Sequence, residues 1–400
     1  MFENILGHEN LLQSLIQDIE AGSLPPAMLF YGPKYSGKLS TALELARVLT
    51  CEKGLGDWNC GCPSCWKHRS LMHPNLLMLG TANYFHEIIS SREVLTRYPR
   101  PASRFLFLRA VRKQLKGFNP LLWEGDESKV KTHQNSVQDV EDNLDELMGL
   151  DLNEEPKAIK DICEKVTDKM EKLCGFFNSQ HTPINHIRRA IYWAHMSSSG
   201  SAKVILINGI DHLQTASSNS LLKILEEPPK NVYLILVSEK KGPILTTLLS
   251  RLRPYHFLQR PLETEKAVLE KIFKNENHEY ESLRDYFLAW RNINPLEVRQ
   301  MAHRFLELIV QGAGANDMAL DEALDLIQRG EIKDHFIIFL EELLSAMEEV
   351  VKSGEANPLS QDVLEKWTRE INNMVYQKES LNINPQNLIE NFFLKMRLFS

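Results

Sequence analysis

The stretch 27–49, AMLFYGPKYSGKLSTALELARVL, constrains this chain more than any other. Ala27–Tyr31 is an apolar run of strand length, and it enters a turn-forming segment that holds Gly32, Pro33, Ser36 and Gly37. Lys38 follows, and helical spacing then runs up to Cys51. Buried strand, glycine loop, lysine and helix, in that order, make the context of a phosphate-binding loop. The glycines allow the tight turn, backbone N–H groups converge on the phosphates, and the lysine reaches the outer oxygens. Further apolar strands at Lys203–Ile207 and Val232–Val237 flank a helix from Ser218 to Glu227 that Pro228-Pro229 stops. Strands alternating with helices predict an α/β fold on a parallel sheet.

The loop lacks parts that hydrolysis needs. Gly32, Gly37 and Lys38 are present, but the magnesium position after the lysine holds Leu39, which has no ligand oxygen. Ser40 comes one residue late, so a helix turns it ~100° away. The second strand should end in an acid for the metal and a base for water. It ends in Asn208-Gly209, and Asp211 lies beyond it as a loop or helix-cap residue. Loss of a general base alone costs roughly 10²–10⁴ in rate. The expectation is a vestigial loop that does not hydrolyse ATP on its own. Whether it still binds nucleotide stays open.

Four of the six cysteines, Cys51, Cys60, Cys62 and Cys65, fall in the string CEKGLGDWNCGCPSC. In a reducing compartment such crowding points to metal, and thiolates suit tetrahedral zinc. Cys62-x2-Cys65 has knuckle spacing, Cys60-x-Cys62 is tighter, and His68 stands as an alternative ligand. Gly54, Gly56, Gly61 and Pro63 read as the turn residues of such a knuckle. Four protein ligands leave no open position, so the site is expected to be structural. Cys163 and Cys174 lie apart and read as buried small hydrophobes.

The net charge of −7 over 400 residues gives no whole-chain electrostatic footprint for DNA. It averages opposed blocks: residues 92–116 carry +7 and residues 124–161 carry −8. These blocks read as an insertion at 81–178 with two helical arms, flexible around 124–143. The basic arm either contacts DNA or another subunit or is a solvated helical face, and Trp123, Phe105 and Phe107 read as core. Beyond about residue 262 helical patterns dominate, at 263–274, 279–290, 295–312, 318–328, 332–352, 360–379 and 385–398. No apolar run reaches membrane-spanning length and the N-terminus has no signal-peptide pattern, so a cytoplasmic protein without a membrane partner is expected.

Four strings together, FENILGHENLLQSL, GPKYSGKLSTALELARVLTC, NSLLKILEEPPKNVYLILVS and LLSRLRP, resemble the bacterial clamp-loader ATPases, the gamma/tau and delta-prime subunits of DNA polymerase III. The resemblance covers roughly residues 1–78 and 183–260, and the C-terminal helices loosely. It implies a RecA-like AAA+ P-loop domain with a zinc knuckle at 1–260 (knuckle 51–68), a small helical lid at 261–314 and an all-helical collar at 315–400. The chain looks like the delta-prime type, a ring subunit that is no ATPase by itself. It would load the sliding clamp on primer–template DNA during replication, in a hetero-pentamer with gamma/tau and delta. Ser250-Arg251 matches the family's arginine-finger motif, which implies that Arg251 acts in trans on a neighbour's ATP; Arg253 is the alternative finger. An ATP-hydrolysing gamma/tau-type subunit is the alternative reading. The chain departs from the family in three places. Leu252 stands where the family has cysteine, the knuckle has one residue fewer between its second and third cysteines, and the insertion is not part of the common pattern.

Overall fold

A computed structural model of the chain describes all residues except 55, 81, 177–181, 197–201, 276–279, 291–292, 312–319, 322–323, 326–331, 353–360, 382 and 398–400. The chain divides into two units, Met1–Phe287 and Leu288–Ser400.

In the first unit, among the described residues, five parallel strands form one sheet in the order β2-β3-β4-β1-β5. They are β1 (Ala27–Tyr31), β2 (Leu76–Gly80), β3 (Lys203–Asn208), β4 (Val232–Ser238) and β5 (Arg253–His256). The register sets Met28 opposite Ile235, Leu206 opposite Ile235, and Met78 opposite Leu206. Side chains alternate across a strand, so this row faces one side of the sheet. There it packs with Leu12 and Leu15 of α1 (Glu9–Glu20) and Leu45 of α2 (Lys38–Leu49). Leu29, Leu234, Ile205 and Leu77 face the other side, under α8 (Ile184–His195), α9 (Thr215–Glu226) and the helices of the insertion. Both faces are covered, which is why the central strands read as unbroken apolar runs.

Strands β2 and β5 carry no strand signal as clear as that of β1, β3 or β4. The string LLMLG of β2 has the right length but no turn signal as strong as a glycine loop beside it. Three of the four residues of β5 are exposed, so it carries no hydrophobic pattern.

The insertion is a helical layer made of α4 (Phe85–Arg97), α5 (Pro101–Leu115), α6 (Gln134–Gly149) and α7 (Pro156–Phe176). The stretch 124–143, expected to be flexible, forms 3-10 turns at Glu127–Lys129 and Lys131–His133 and the start of α6. Most of the basic arm is packed into this layer, and Arg97 and Arg100 are exposed. Buried Arg112 of α5 donates through Nε to Glu141 at 2.9 Å and through Nη2 to Asp145 at 3.2 Å, both on α6, and through Nη1 to the Ser70 carbonyl at 3.2 Å. Arg104 donates to the Leu150 carbonyl at 3.1 Å, at the C-terminal end of α6, where a cation meets the negative end of the helix dipole. The two charge blocks thus meet at Arg112, which pairs with two acids of α6. Phe107 and Trp123 are core residues as expected, and the Trp123 indole donates to the Gly117 carbonyl at 2.8 Å. Cys163 and Cys174 are buried on α7, and burial pushes both thiols up to about 12.

The second unit is helical. Helices Pro295–Gln311, Ile332–Lys352, Gln361–Leu381 and Pro385–Arg397 share a core of Phe305, Phe339, Phe393 and Trp367. The Phe305 ring meets Phe339 at 5.4 Å and Phe393 at 5.5 Å between centroids. The helix at 295–311 belongs to this unit, and the division at 287/288 falls inside the stretch 261–314 that the resemblance assigns to a lid. The helix expected at 318–328 lies for the most part outside the described residues.

Candidate functional site

The glycine loop leaves β1 at the carboxyl ends of the strands, the edge where open α/β sheets bind ligands. Gly32 has φ 148° and its N–H donates to the Ser238 carbonyl at 3.3 Å. A Cβ built there would lie 1.9 Å from the Phe257 carbonyl oxygen, so the approach of the chain leaving β5 requires glycine. Gly37, φ 91°, is the residue that enters α2. Lys38 is buried, and its ammonium turns back into the loop. It donates to the carbonyls of Gly32 at 2.6 Å and Pro33, and to Ser36 Oγ at 3.2 Å. Burial is the main reason its pKa falls to about 8, and the charges of Glu239 and Asp211 oppose that fall. Leu39 packs against the core and Ser40 is exposed, as the helical rotation predicts.

At the end of β3 the Asn208 amide donates to the Tyr84 hydroxyl at 2.9 Å. Asp211 lies in the 3-10 turn Ile210–His212 and accepts from the backbone N–H groups of Glu239 at 3.2 Å and Lys240 at 3.3 Å. It thus ties the turn after β3 to the end of β4, the loop role expected of it.

Two residues at the loop had no signal in the sequence pattern. Arg260 follows β5 and is only 9% exposed. It donates through Nε to the Leu6 carbonyl at 3.1 Å and through Nη1 to the Tyr35 carbonyl at 2.7 Å. The His8 ring nitrogen Nε2 pairs with the Ser36 carbonyl at 2.7 Å.

The structure brings Cys51, Cys60, Cys62 and Cys65 together, with all four sulfurs within 4.8 Å of one another. Tetrahedral coordination with bonds of about 2.3 Å separates its sulfurs by about 3.8 Å. Cys51 and Cys60 Sγ are 3.8 Å apart, so the donor set and its spacing fit such an ion. Pro63 does not shape a turn as expected. It opens α3 (Pro63–Arg69), for which the Cys62 sulfur is the N-cap, accepting from Cys65 N at 3.4 Å. His68 is not in the cluster: its Nε2 pairs with Thr50 Oγ1 at 2.6 Å and its ring stacks on His73 at 4.2 Å. The support of the cluster comes from α2. Arg47 Nη1 donates to Cys65 Sγ at 3.0 Å and to the Asp57 carbonyl at 3.0 Å, and Nη2 donates to the Gly56 carbonyl at 2.6 Å. Spacing cannot reveal such a supporting residue, which holds a cluster sulfur through a hydrogen bond.

Arg251 lies just before β5, at the amino edge of the sheet, and the glycine loop lies at the carboxyl edge. Its Nε donates to Glu226 at 2.9 Å, Nη2 pairs with the same carboxylate, and Nη1 donates to the Thr247 carbonyl at 2.7 Å. The alternative, Arg253, is an exposed residue of β5 opposite Met28.

The family described as DNA polymerase III, delta subunit, matches residues 7–99 and 151–261, together just over half of the chain, and leaves 100–150 unmatched. The DNA polymerase III subunit tau of Escherichia coli K12 is 23% identical over 278 residues, 69% of this chain but only 28% of that protein. The delta' subunit of Buchnera aphidicola subsp. Baizongia pistaciae is 44% identical over 55 residues, 14% of this chain and 16% of that one. A solved structure of a DNA polymerase III gamma subunit-related protein from Thermotoga maritima aligns with 55% of this chain and 81% of that one. Its 15% identity and TM-score of 0.29 are too low to argue from.

Proposed function

Since the chain belongs to the DNA polymerase III clamp-loader family, we propose that it is a delta-prime-type subunit that does not hydrolyse ATP and that completes a neighbour's ATP site. The observation that carries this reading is at the second strand. Asn208 stands where a metal-binding acid is needed, and its amide is committed to Tyr84. With Leu39 packed against the core, neither position offers an oxygen anion to magnesium.

Arg251 is the residue that would act in trans. A guanidinium can stabilise charge on a transferring phosphoryl group. Its place at the amino edge, across the sheet from its own loop, suits a group that serves another subunit. The parallel sheet with a glycine loop at its carboxyl edge supports an AAA+ RecA-like layout for residues 1–260, with lid and collar following at 261–314 and 315–400. The partners are then gamma/tau and delta, the sliding clamp, and primer–template DNA held by the assembly in the cytoplasm. Among the described residues no helix is long and apolar enough to cross a membrane. The metal is zinc, held by the four cysteines; it would supply a structural crosslink between the loop at 51–62 and α3 and leave no position for chemistry.

The test uses the purified chain with gamma-type subunits. The chain alone should show no ATPase and should stimulate theirs. Arg251→Ala should abolish the stimulation and leave assembly intact, and normal stimulation by that variant would refute the finger. The long match to tau favours a second reading, an ATP-hydrolysing gamma/tau-type subunit. Magnesium-dependent turnover by the chain alone that disappears in Lys38→Ala would establish it.

A further inference from the structure

We propose that Arg260 is a plug: its guanidinium laces the glycine loop to the N-terminal segment and closes the loop to the phosphates of a nucleotide. The inference rests on the reading of Gly32–Lys38 as a former phosphate loop. It does not depend on ring assembly or on Arg251.

An open phosphate loop needs its helix N-terminus accessible, because that is where the free N–H groups and the positive dipole end meet the anion. In this chain the approach is occupied by side chains. Arg260 spans from the Leu6 carbonyl to the Tyr35 carbonyl. Its Nη2 lies over Gly37, where a built Cβ would be only 2.2 Å away. One residue along, the Ser36 carbonyl pairs with His8, whose ring also meets Phe257 edge-on at 5.1 Å. Tyr35 itself is fixed by a ring stack on Phe287 at 5.3 Å and 8°. Three consecutive positions, Tyr35, Ser36 and Gly37, are thus engaged from outside the loop, and Lys38 is engaged from within.

The electrostatics point the same way. A cation beside a helix N-terminus is opposed by the dipole, and Arg260 also lies near Lys38. It stays because two carbonyls accept from it and Glu265 lies close enough to favour its charge. A pre-formed anion site would hold its guanidinium with a free face toward the ligand. This one is buried and spans two backbone segments.

Removing the guanidinium should open the N-terminus of a helix that still has Gly37 and Lys38. The experiment is fluorescence titration of the full chain with a fluorescent derivative of ADP in the absence of magnesium, for the wild type, Arg260→Ala and Arg260→Gln. The glutamine variant keeps a polar side chain that can donate to one carbonyl, and it guards against loss of folding in the alanine variant, checked by thermal unfolding. Both variants should bind at least tenfold more tightly than the wild type, with the larger gain for alanine. Equal binding by folded variants and wild type, whether tight or absent, overturns the plug. ATP turnover by the same proteins with magnesium added separates this from the proposed function. The plug predicts binding without turnover, since Leu39 and Asn208 are unchanged; turnover by the wild type overturns the non-hydrolysing reading instead.

Discussion

Replacing Arg47 with methionine should be among the costliest single changes in the first unit, and the structure says why. The side chains of Arg47 and Glu44 are each 1% exposed and form an ion pair one helical turn apart. All five guanidinium N–H donors are used: Nε and Nη2 on Glu44 at 3.0 and 2.7 Å, and the others on Gly56, Asp57 and Cys65. Methionine keeps the volume of the stem and removes every donor. Breaking a buried pair by deleting one partner costs about 3–5 kcal/mol, because the remaining charge is left without compensation. Each lost backbone acceptor adds about 1 kcal/mol, not fully additively. A loss of about 4 kcal/mol is expected, against about 5–15 kcal/mol for a whole domain. The cluster loses the group that donates to Cys65, so zinc affinity should fall roughly 10–100-fold. Urea unfolding followed by circular dichroism measures the first quantity, and competition with a chromogenic chelator measures the second. The decisive control is Arg47→Met combined with Glu44→Gln, which removes the orphaned charge and should recover a large part of the stability. The reasoning fails if the single variant unfolds within about 1 kcal/mol of the parent, or if the double variant is no more stable than the single.

Arg112→Ala should cost less than Arg47→Met, about 1–2 kcal/mol by the same urea assay, although Arg112 is as deeply buried. Its acid partners Glu141 and Asp145 are 35% and 66% exposed, so water takes over their charge when the arginine is gone. Gly32→Ala should lower stability by at least about 2 kcal/mol, because the new methyl meets the Phe257 carbonyl and the residue sits at positive φ; an unchanged melting temperature would contradict the close approach. His186 is buried edge-on against Trp123 at 4.5 Å, and burial lowers its pKa to about 4. The unfolded chain therefore takes up the proton first, near pH 6.5, and stability is full above that pH and is lost as pH falls towards 4. The loss from this residue is at most about 3 kcal/mol. His186→Phe should flatten the stability curve between pH 6.5 and 4, and parallel curves would show that the burial has another consequence.

The parts legible in the chain are those whose physics is local. Strand β1, the glycine loop and α2 are contiguous, so apolar run, glycines and lysine reveal them together. The four cysteines come together because fifteen residues hold them all. Helices such as Ile184–His195 and Gln361–Leu381 announce themselves by spacing, since one turn already sets which face is apolar. The residues of the loop are legible for the same reason: Leu39 follows Lys38 and Asn208 ends an apolar strand.

What the tertiary structure decided is everything carried by partners far apart in sequence. Strand β5 is a strand because Met28–Tyr31 offers it hydrogen bonds, not because RPYH has a pattern. The opposed charge blocks look like separate surfaces until α5 and α6 pack and Arg112 finds Glu141 and Asp145. Arg47 and Arg260 look like ordinary arginines on the page. One supports the cysteine cluster and the other covers the glycine loop, because a guanidinium's five donors take their meaning from whatever acceptors folding places around them.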